Sequence, residues 1–217
     1  MIPIQYALRR RMMINASKEL PISDLPLGTL INVGTDGGAG TPNYEIADKD
    51  NLVSGGVVLV RKEVYSQNTP RGSLHYSGSK LDNLIKTTIY NEMPQQLRDK
   101  MMDVSFTLYS SGNITRKMFA LTYTMVGFGN NNNVAEGKAL QLYKSNASRR
   151  KTHNGSKSGW WLSSLQSSKF AYLVNDGGGW SYNPSEFIYG AVPAFVIPSK
   201  TLYDPTPNTD GSYNLIL

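Results

Sequence analysis

The sequence of 217 residues has no cysteine, few charges and no long apolar run, and each of these excludes a class of protein. Without cysteine the chain forms no disulfide, no thiolate metal site and no cysteine nucleophile. Its apolar runs are shorter than the ~18–20 residues of a transmembrane helix, and residues 1–20 lack the continuous apolar core of a signal peptide. We therefore expect neither membrane insertion nor export through a signal peptide.

Positive charge is concentrated in one segment of the chain. The net charge is +6, and residues 137–175 contain seven basic residues and no acidic one, so the remainder is close to neutral. The run Arg149-Arg150-Lys151 has two interpretations, a solvated loop or a contact with phosphate or another polyanion. We favour the solvated loop, because single-stranded nucleic acid needs aromatic residues between the cations and only Tyr143 lies near this run.

Local patterns predict several strands and two helices. Ser79 followed by Asp82 predicts a helix start, and Pro94 predicts the start of a second short helix. The glycines at 177–179 predict a hairpin turn between strands at 171–174 and 180–182. Further strands are predicted, from β-branched and aromatic content, at 27–33, 44–47, 57–64, 104–109 and 118–126.

Three motifs in the last third of the chain carry a resemblance to a known family. They are Trp-Trp-Leu at 160–162, Tyr-Leu-Val-Asn-Asp-Gly at 172–177 and Tyr-Gly-Ala-Val-Pro-Ala at 189–194. Together with Tyr-Ser-Gly-Ser-Lys-Leu at 76–81 and Glu-Gly-Lys-Ala-Leu at 136–140, they resemble the signature of the DUF6273 family over roughly residues 25–202. Two positions depart from the pattern, since Ser163 and Val192 stand where the family usually has arginine.

The resemblance implies a fold and a domain organisation. Members resemble C-type-lectin-like proteins, so we expect an α+β domain with short antiparallel strands, one or two helices and long loops. We place this domain at residues 25–203, after a basic N-terminal arm at 1–24 and before a C-terminal tail at 204–217. Many members occur in phages and prophages, which implies a protein of the virion, assembled in the cytoplasm of a bacterial host.

Catalysis is not expected. Formylglycine-generating enzymes share the implied fold but need cysteine, and their iron-dependent relatives need a histidine cluster, whereas this chain has only His75 and His153. No Gly-x-Ser-x-Gly motif is present. Paired carboxylates for glycoside hydrolysis depend on geometry rather than spacing, and the candidates are Asp103, Glu136, Asp176 and Glu186.

No metal and no cofactor are expected either. Calcium needs several oxygen ligands from a carboxylate-rich loop, and Asn175, Asp176 and Glu186 are too few to predict such a site.

The composition instead favours a binding protein. Aromatic side chains offer rigid contact area, and small polar residues offer adaptable hydrogen bonds. The candidate ligand-binding residues are Tyr172, Asn175, Trp180, Tyr182, Asn183, Glu186 and Phe187. The sequence leaves open whether residues 180–187 are exposed or belong to the core, while Trp160, Trp161 and Phe195 are predicted core residues.

These observations lead to one expected function and two alternatives. We expect a non-enzymatic, homo-oligomeric phage protein that binds a host cell-surface glycan or protein. Its arm would attach it to other virion proteins through Tyr6, Leu8, Arg9, Arg10, Arg11 and Met12. The first alternative is a capsid decoration or tail-completion protein without a ligand, and the second is a nucleic-acid-binding factor that uses Arg149 to Lys151.

Overall fold

The computed structural model of the protein describes residues 20–38, 40–66, 69–73 and 75–217. The proposed attachment residues of the arm lie outside the described residues; they are Tyr6, Leu8, Arg9, Arg10, Arg11 and Met12.

Strands dominate the structure, accounting for 37% of it against 13% for helices. The strands of the described residues are β1 (Leu20–Pro21), β2 (Leu30–Asn32), β3 (Asn43–Lys49), β4 (Gly56–Arg61), β5 (Thr69–Pro70), β6 (Val104–Leu108), β7 (Gly112–Arg116), β8 (Met118–Ala120), β9 (Lys151–His153), β10 (Ser156–Ser158), β11 (Trp160–Leu165), β12 (Phe170–Val174), β13 (Trp180–Pro184), β14 (Ile188–Tyr189), β15 (Pro193–Pro198), β16 (Leu202–Tyr203) and β17 (Tyr213–Ile216). The helices are a 3-10 turn (Ile22–Asp24), α1 (Lys80–Asn83), a π-helical segment (Leu84–Ile89), α2 (Tyr90–Glu92), α3 (Gln95–Lys100) and α4 (Asn146–Arg149).

A large mixed sheet forms the centre of the fold, with the strand order β1-β16-β17-β2-β3-β4-β15-β8. Its middle strands are rich in valine, isoleucine and phenylalanine, which suit a pleated surface. Every residue of β4 is buried, as is every residue of β15 except Pro198. Burial on both faces means that other parts of the chain cover this sheet on either side.

One helical stretch packs against the sheet and begins as the sequence predicts. The hydroxyl of Ser79 accepts a hydrogen bond from the backbone N–H of Asp82 and caps α1. The helix then widens into the π-helical segment, where Ile85 and Ile89 are buried. Pro94 precedes α3, the second predicted helix.

The segment 204–217, expected as a tail, ends in a strand of the large sheet. β17 lies between β16 and β2, antiparallel to the first and parallel to the second. The rings of Tyr203 and Tyr213 meet edge to face, with centroids 5.4 Å apart.

The fold class expected from the resemblance is wrong. A strand-rich protein built on a large mixed sheet, with several two- and three-stranded sheets, replaces the expected α+β C-type-lectin-like domain. The local helix signals were correct but account for only a small part of the chain. The parallel pairing of β17 with β2 joins segments about 180 residues apart, and local patterns carry no information on such a contact.

A separate three-stranded antiparallel sheet, β11-β12-β13, presents the residues considered below. β12 and β13 form the predicted hairpin. Because β13 is at the edge, one of its sides faces no other strand of the described residues.

Candidate functional site

The outer face of the β12-β13 hairpin is rich in aromatic residues. The register pairs Tyr172 with Tyr182 and Phe170 with Pro184. Side chains two residues apart on a strand point to the same face, so Phe170, Tyr172, Trp180 and Tyr182 share one side of the hairpin. Ala171 and Leu173, on the other side, are buried.

Exposure separates the edge strand from its neighbours. Trp180 is 52% exposed and Tyr182 43%, whereas Trp160 and Trp161 on β11 are fully buried. Trp180 and Tyr182 therefore belong to the surface, and none of residues 180–187, whose exposure the sequence left open, is buried. Trp160, Trp161 and Phe195 are core residues, as predicted.

The rings form a continuous set that extends beyond the hairpin. Tyr123 lies against Tyr172, with ring centroids 4.3 Å apart, and Phe128 against Tyr123 at 5.3 Å. Trp180 is 6.3 Å from both Tyr172 and Tyr182, and its ring is within 18° of parallel to that of Tyr182. We call this set the aromatic face: Phe128, Tyr123, Tyr172, Trp180, Tyr182 and Phe170.

Three members of this set, Tyr123, Phe128 and Phe170, were not predicted from the sequence. Tyr123 and Phe128 follow β8 in a run of turns, about 50 residues before the hairpin. The 118–126 segment was predicted to be a strand, but only 118–120 form one. Phe170 carried a usable signal, since it precedes Tyr172 by two residues on the same strand.

The aromatic face is uncharged at neutral pH. Burial raises the pKa of Tyr172 and of Tyr123 above that of a free phenol, so both hydroxyls keep their protons. Weakly hydrated rings on a half-exposed surface can be covered by a ligand without the cost of removing water from a charge.

Asn175 serves the hairpin turn rather than the aromatic face. Its side-chain oxygen accepts hydrogen bonds from the backbone N–H groups of Gly177 and Gly179, both at 3.0 Å. Gly178 adopts a positive φ of 86° and its N–H donates to the Asn175 carbonyl at 2.9 Å, which closes the turn. Asn175 thus acts by fixing the position of β13.

The other predicted binding residues lie around the far end of the hairpin. Asn183 is on the opposite side from the aromatic face and donates to the Tyr189 hydroxyl. Phe187 is 50% exposed in the turn that follows β13. Glu186 borders a shallow depression of about 360 Å³, together with Ser168, Lys169, Phe170, Pro184 and Ser185. The depression adjoins the aromatic face through Phe170.

Two residues of the basic run, Arg149 and Lys151, are buried, so the run is not the solvated loop expected from the sequence. Arg149 donates to the carbonyls of Val126 and Tyr143 and lies over the Phe128 ring, 4.3 Å from its centroid. Lys151 pairs with Glu45 in the interior. Arg150 is exposed, and its Nε donates to the Gly177 carbonyl in the hairpin turn.

The candidate carboxylates do not come together as a pair with access to substrate. Glu136 is buried and accepts hydrogen bonds from the Tyr109 N–H, Asn131 Nδ2 and Ser164 Oγ. Burial raises the pKa of Glu136, and these three donors oppose the rise. Asp103, Asp176 and Glu186 are exposed on other segments.

Residues that could act as metal ligands are far apart in the described part of the chain. No group of three or more His, Asp or Glu residues there is arranged to hold a metal ion. His75 Nδ1 is 2.9 Å from the Ser110 carbonyl, and His153 Nδ1 is 3.2 Å from the Val64 carbonyl.

The two positions that depart from the family pattern are both buried. Ser163 Oγ donates to the Leu121 carbonyl at 3.1 Å, and its own carbonyl accepts from Arg71. Val192 is fully buried. Ser163 thus makes a hydroxyl-mediated contact, and Val192 is an apolar residue of the interior.

A strand-rich scaffold that displays an aromatic face defines a surface suited to binding. The model of the family described as "Domain of unknown function (DUF6273)" matches residues 54–199, and the chain belongs to this family. The matched segment runs from the start of β4 to the end of β15 and includes the β11-β12-β13 sheet. No curated protein and no solved structure matches the chain.

Among the residues that the structure describes, no helix is both long and apolar enough to cross a membrane.

Proposed function

We propose that this protein is a non-catalytic binding subunit of a phage particle and that its aromatic face binds a glycan of the host cell surface. The observation that supports the proposal best is the pair of half-exposed rings on the edge strand, Trp180 and Tyr182, backed by four further rings. Contiguous apolar patches at the surface mark interaction sites, and tyrosine and tryptophan are enriched at interfaces.

The chemistry of a sugar ring fits such a surface. One face of a pyranose presents C–H groups with partial positive charge, and the face of an aromatic ring is negative. Contact between them excludes water without burying an unpaired polar group, because the sugar hydroxyls point to the rim. Along β13 the distance from Trp180 to Pro184 is about 13 Å, at ~3.3 Å per residue, which accommodates a short oligosaccharide rather than a single sugar.

Polar groups at both ends of the aromatic face would select among sugars. Arg150 and Asp176 lie at the hairpin turn, and Lys169 and Glu186 border the depression at the other end. Each end thus has one cation and one carboxylate. Such a balanced arrangement favours hydroxyl and amide groups over a strongly charged polymer.

Attachment to a particle is supported by the sequence alone. Residues 1–19 carry Arg9, Arg10 and Arg11 among apolar residues, and the family resemblance implies a virion setting. Attachment of many copies would strengthen weak individual contacts, because linked sites bind with a high effective concentration.

The decisive experiment follows the emission of Trp180, the exposed member of the three tryptophans. Titration with purified bacterial surface polysaccharides should change this emission. Replacing Trp180 and Tyr182 together by alanine removes this emission signal, so isothermal titration calorimetry compares the variant with the wild type. The replacement should weaken binding at least about tenfold, which is ~1.4 kcal/mol, and leave the midpoint of thermal unfolding nearly unchanged.

Tyr109→Ala is the matched control, because Tyr109 is also 52% exposed but lies at the end of the β6-β7 hairpin. Unchanged affinity in the double variant would exclude the aromatic face as the site. A large loss of stability would mean that the two rings support the fold, and binding to a host protein but to no polysaccharide would replace the glycan by a protein receptor.

A second experiment tests attachment. Deleting residues 1–19 should leave a protein with the same polysaccharide affinity that no longer joins particles. Normal incorporation of the truncated protein would refute the role of the arm. Particles that lack the protein distinguish this function from the decoration alternative. A receptor-binding subunit predicts intact particles that adsorb poorly to host cells. A decoration protein predicts fragile particles that adsorb normally.

A further inference from the structure

The outer edge of β13 is a second surface of the same hairpin, distinct from the aromatic face. Within the described residues β13 pairs with β12 on one side and with no strand on the other. The strand spans Trp180–Pro184, five residues, none of them charged. An edge of this kind presents unpaired backbone groups to any strand that approaches.

The hairpin turn determines which backbone groups face outward. The N–H of Asn175 donates to the Gly179 carbonyl at 2.8 Å, so these two residues form a hydrogen-bonded pair. Hydrogen-bonded and non-hydrogen-bonded pairs alternate along an antiparallel ladder. Ser181 therefore directs its backbone groups toward β12, whereas Trp180 and Tyr182 direct their N–H and C=O groups to the outer edge.

Several other sheet edges in the described residues are protected, although β6, like β13, is a five-residue edge strand without a charge. The large sheet ends in the two-residue β1, which contains Pro21, and in the three-residue β8. The edge strand β10 contains Lys157. Short length, proline and lysine are the usual means of preventing edge pairing, and β13 has only a proline at its last position.

We propose that two copies of this chain pair antiparallel through β13, with the twofold axis at Ser181. In this register Trp180 lies opposite the partner's Tyr182, and Tyr182 opposite the partner's Trp180. The two outward N–H and two outward C=O groups of each copy are then all paired, in four hydrogen bonds. Registers centred on Tyr182 instead place Trp180 opposite Pro184, which has no N–H to donate.

Self-pairing suits the side chains as well as the backbone. Cross-strand aromatic pairs stabilise antiparallel sheets, and this register forms two of them. The small Ser181 side chains meet at the axis, where strands approach most closely, and the paired segment brings no like charges together. A second copy of the chain is therefore the occupant that this edge fits.

Dimer formation would leave the aromatic face open, because strands pair through their edges and ligands would contact the face. Two aromatic faces would join into one surface across a six-stranded sheet. If the proposed glycan binding holds, one dimer offers two linked sites and higher avidity. The pairing itself rests on the edge geometry and not on that function.

A single cysteine tests the register directly, since the native chain has none. At the axis, the two Cα atoms of residue 181 would be about 4.5 Å apart, as in other non-hydrogen-bonded pairs, and within the range that a disulfide spans. The full-length Ser181→Cys variant should oxidise almost completely to a covalent dimer. Ser105→Cys, an exposed serine on the two-stranded β6-β7 sheet, is the matched control and should remain mostly uncrosslinked.

Charge exchange at the same position provides an independent measurement. The wild-type protein should sediment as a dimer, while Ser181→Asp and Ser181→Lys should each be monomeric because like charges meet at the axis. An equal mixture of the two variants should form dimers again, which also shows that both are folded. Ser181→Thr should stay dimeric.

Four results would overturn the proposal: a wild-type monomer at every concentration, dimers that persist in both charged variants, no recovery in the mixture, or equal crosslinking of both cysteine variants. Polysaccharide binding by a monomeric charged variant would separate the two hypotheses, since it would retain the aromatic face as a ligand site without the dimer.

Discussion

The three tryptophans of this chain differ in surroundings, and the difference comes from their place in one small sheet. Trp160 and Trp161 sit on β11, where chain covers both faces, and their indole N–H groups donate to the carbonyls of Arg149 and Thr69. Trp180 sits on the open edge strand. Residue type alone predicted large rings in the core, but only the strand order shows which ring remains outside.

Buried charges are a second feature at the residue scale that local sequence could not predict. Lys151 pairs with Glu45, which is 106 residues earlier and also accepts a hydrogen bond from Tyr143. A run of three basic residues is usually solvated, and nothing in its neighbourhood indicates a distant acidic partner. Burial lowers the pKa of Lys151, and the ion pair with Glu45 opposes this shift.

The hairpin turn gives a testable prediction at a single residue. Gly178 has a positive φ, and an added methyl group would overlap the Asn146 backbone carbonyl. Gly178→Ala should therefore lower the free energy of unfolding by more than about 1 kcal/mol, as measured by chemical denaturation. Gly177→Ala is the control, because Gly177 lacks the positive φ and its nearest new contact is a side-chain atom at 3.2 Å. Equal losses in both variants would argue against backbone strain.

Glu136 gives a prediction on pH. Burial raises its pKa, so the folded protein binds this proton more tightly than the unfolded chain, where glutamate titrates near ~4.3. The stabilisation that comes from the protonated carboxyl group is complete below about pH 4.3. It is lost as the pH rises through the raised pKa of Glu136 in the folded protein. Glu136→Gln cannot ionise, and its side-chain oxygen can still accept from Tyr109 and Asn131.

The free energy of unfolding of Glu136→Gln, relative to the wild type, should consequently increase as the pH rises above ~4.3. Denaturation curves across this range measure it. Asp103→Asn, which replaces an exposed carboxylate by an amide, is the control variant. A constant difference for Glu136→Gln would contradict the assigned cause.

Among the elements, those fixed by local interactions were predictable and those fixed by pairing were not. The capped helix start at Ser79, the helix after Pro94 and the β12-β13 hairpin depend on residues within a few positions of each other. Strand pairing instead joins distant segments, such as β4 with β15. The aromatic face combines both cases, because its hairpin half was predictable and Tyr123 reaches it only through tertiary packing.

The capped helix allows a prediction at the scale of an element. Ser79→Ala removes the hydroxyl that accepts from the Asp82 N–H and should cost about 1 kcal/mol of stability. Thr87→Ala, an exposed position in the π-helical segment, removes a hydroxyl from the same helix and should be neutral or slightly stabilising. Thermal unfolding of both variants measures the difference. A Ser79→Ala protein as stable as the wild type would mean that water replaces the cap.

At the scale of the whole molecule, the large sheet is assembled from both ends of the described chain. The family match at 54–199 covers β4 to β15, while β1 to β3, β16 and β17 lie outside it. Those outer strands nevertheless continue the same sheet, with β3 paired to β4. The segment 204–217 was predicted to be a tail because it contains few apolar residues. Its strand β17 nevertheless joins the sheet, since backbone hydrogen bonds to neighbouring strands do not require apolar side chains.

Truncation after Tyr203 tests whether the C-terminal segment is part of the folded unit. Without β17, the sheet loses the strand that joins β16 to β2, and buried Ile31 loses its neighbour Tyr213. The truncation also removes the Asp210 carboxylate, which accepts from Ser212 and Asn43 and whose pKa those hydrogen bonds lower to about 2.

Because domains are stable by only ~5–15 kcal/mol, losing an internal strand of the central sheet should prevent cooperative folding of the truncated chain. Far-UV circular dichroism and thermal melting measure this outcome. Removal of Leu217 alone, which is 42% exposed and follows the last residue of β17, should leave the melting transition nearly unchanged. A truncated protein that melts cooperatively at the wild-type temperature would show that the large sheet forms without β17. Residues 204–217 would then be a peripheral addition to the family domain.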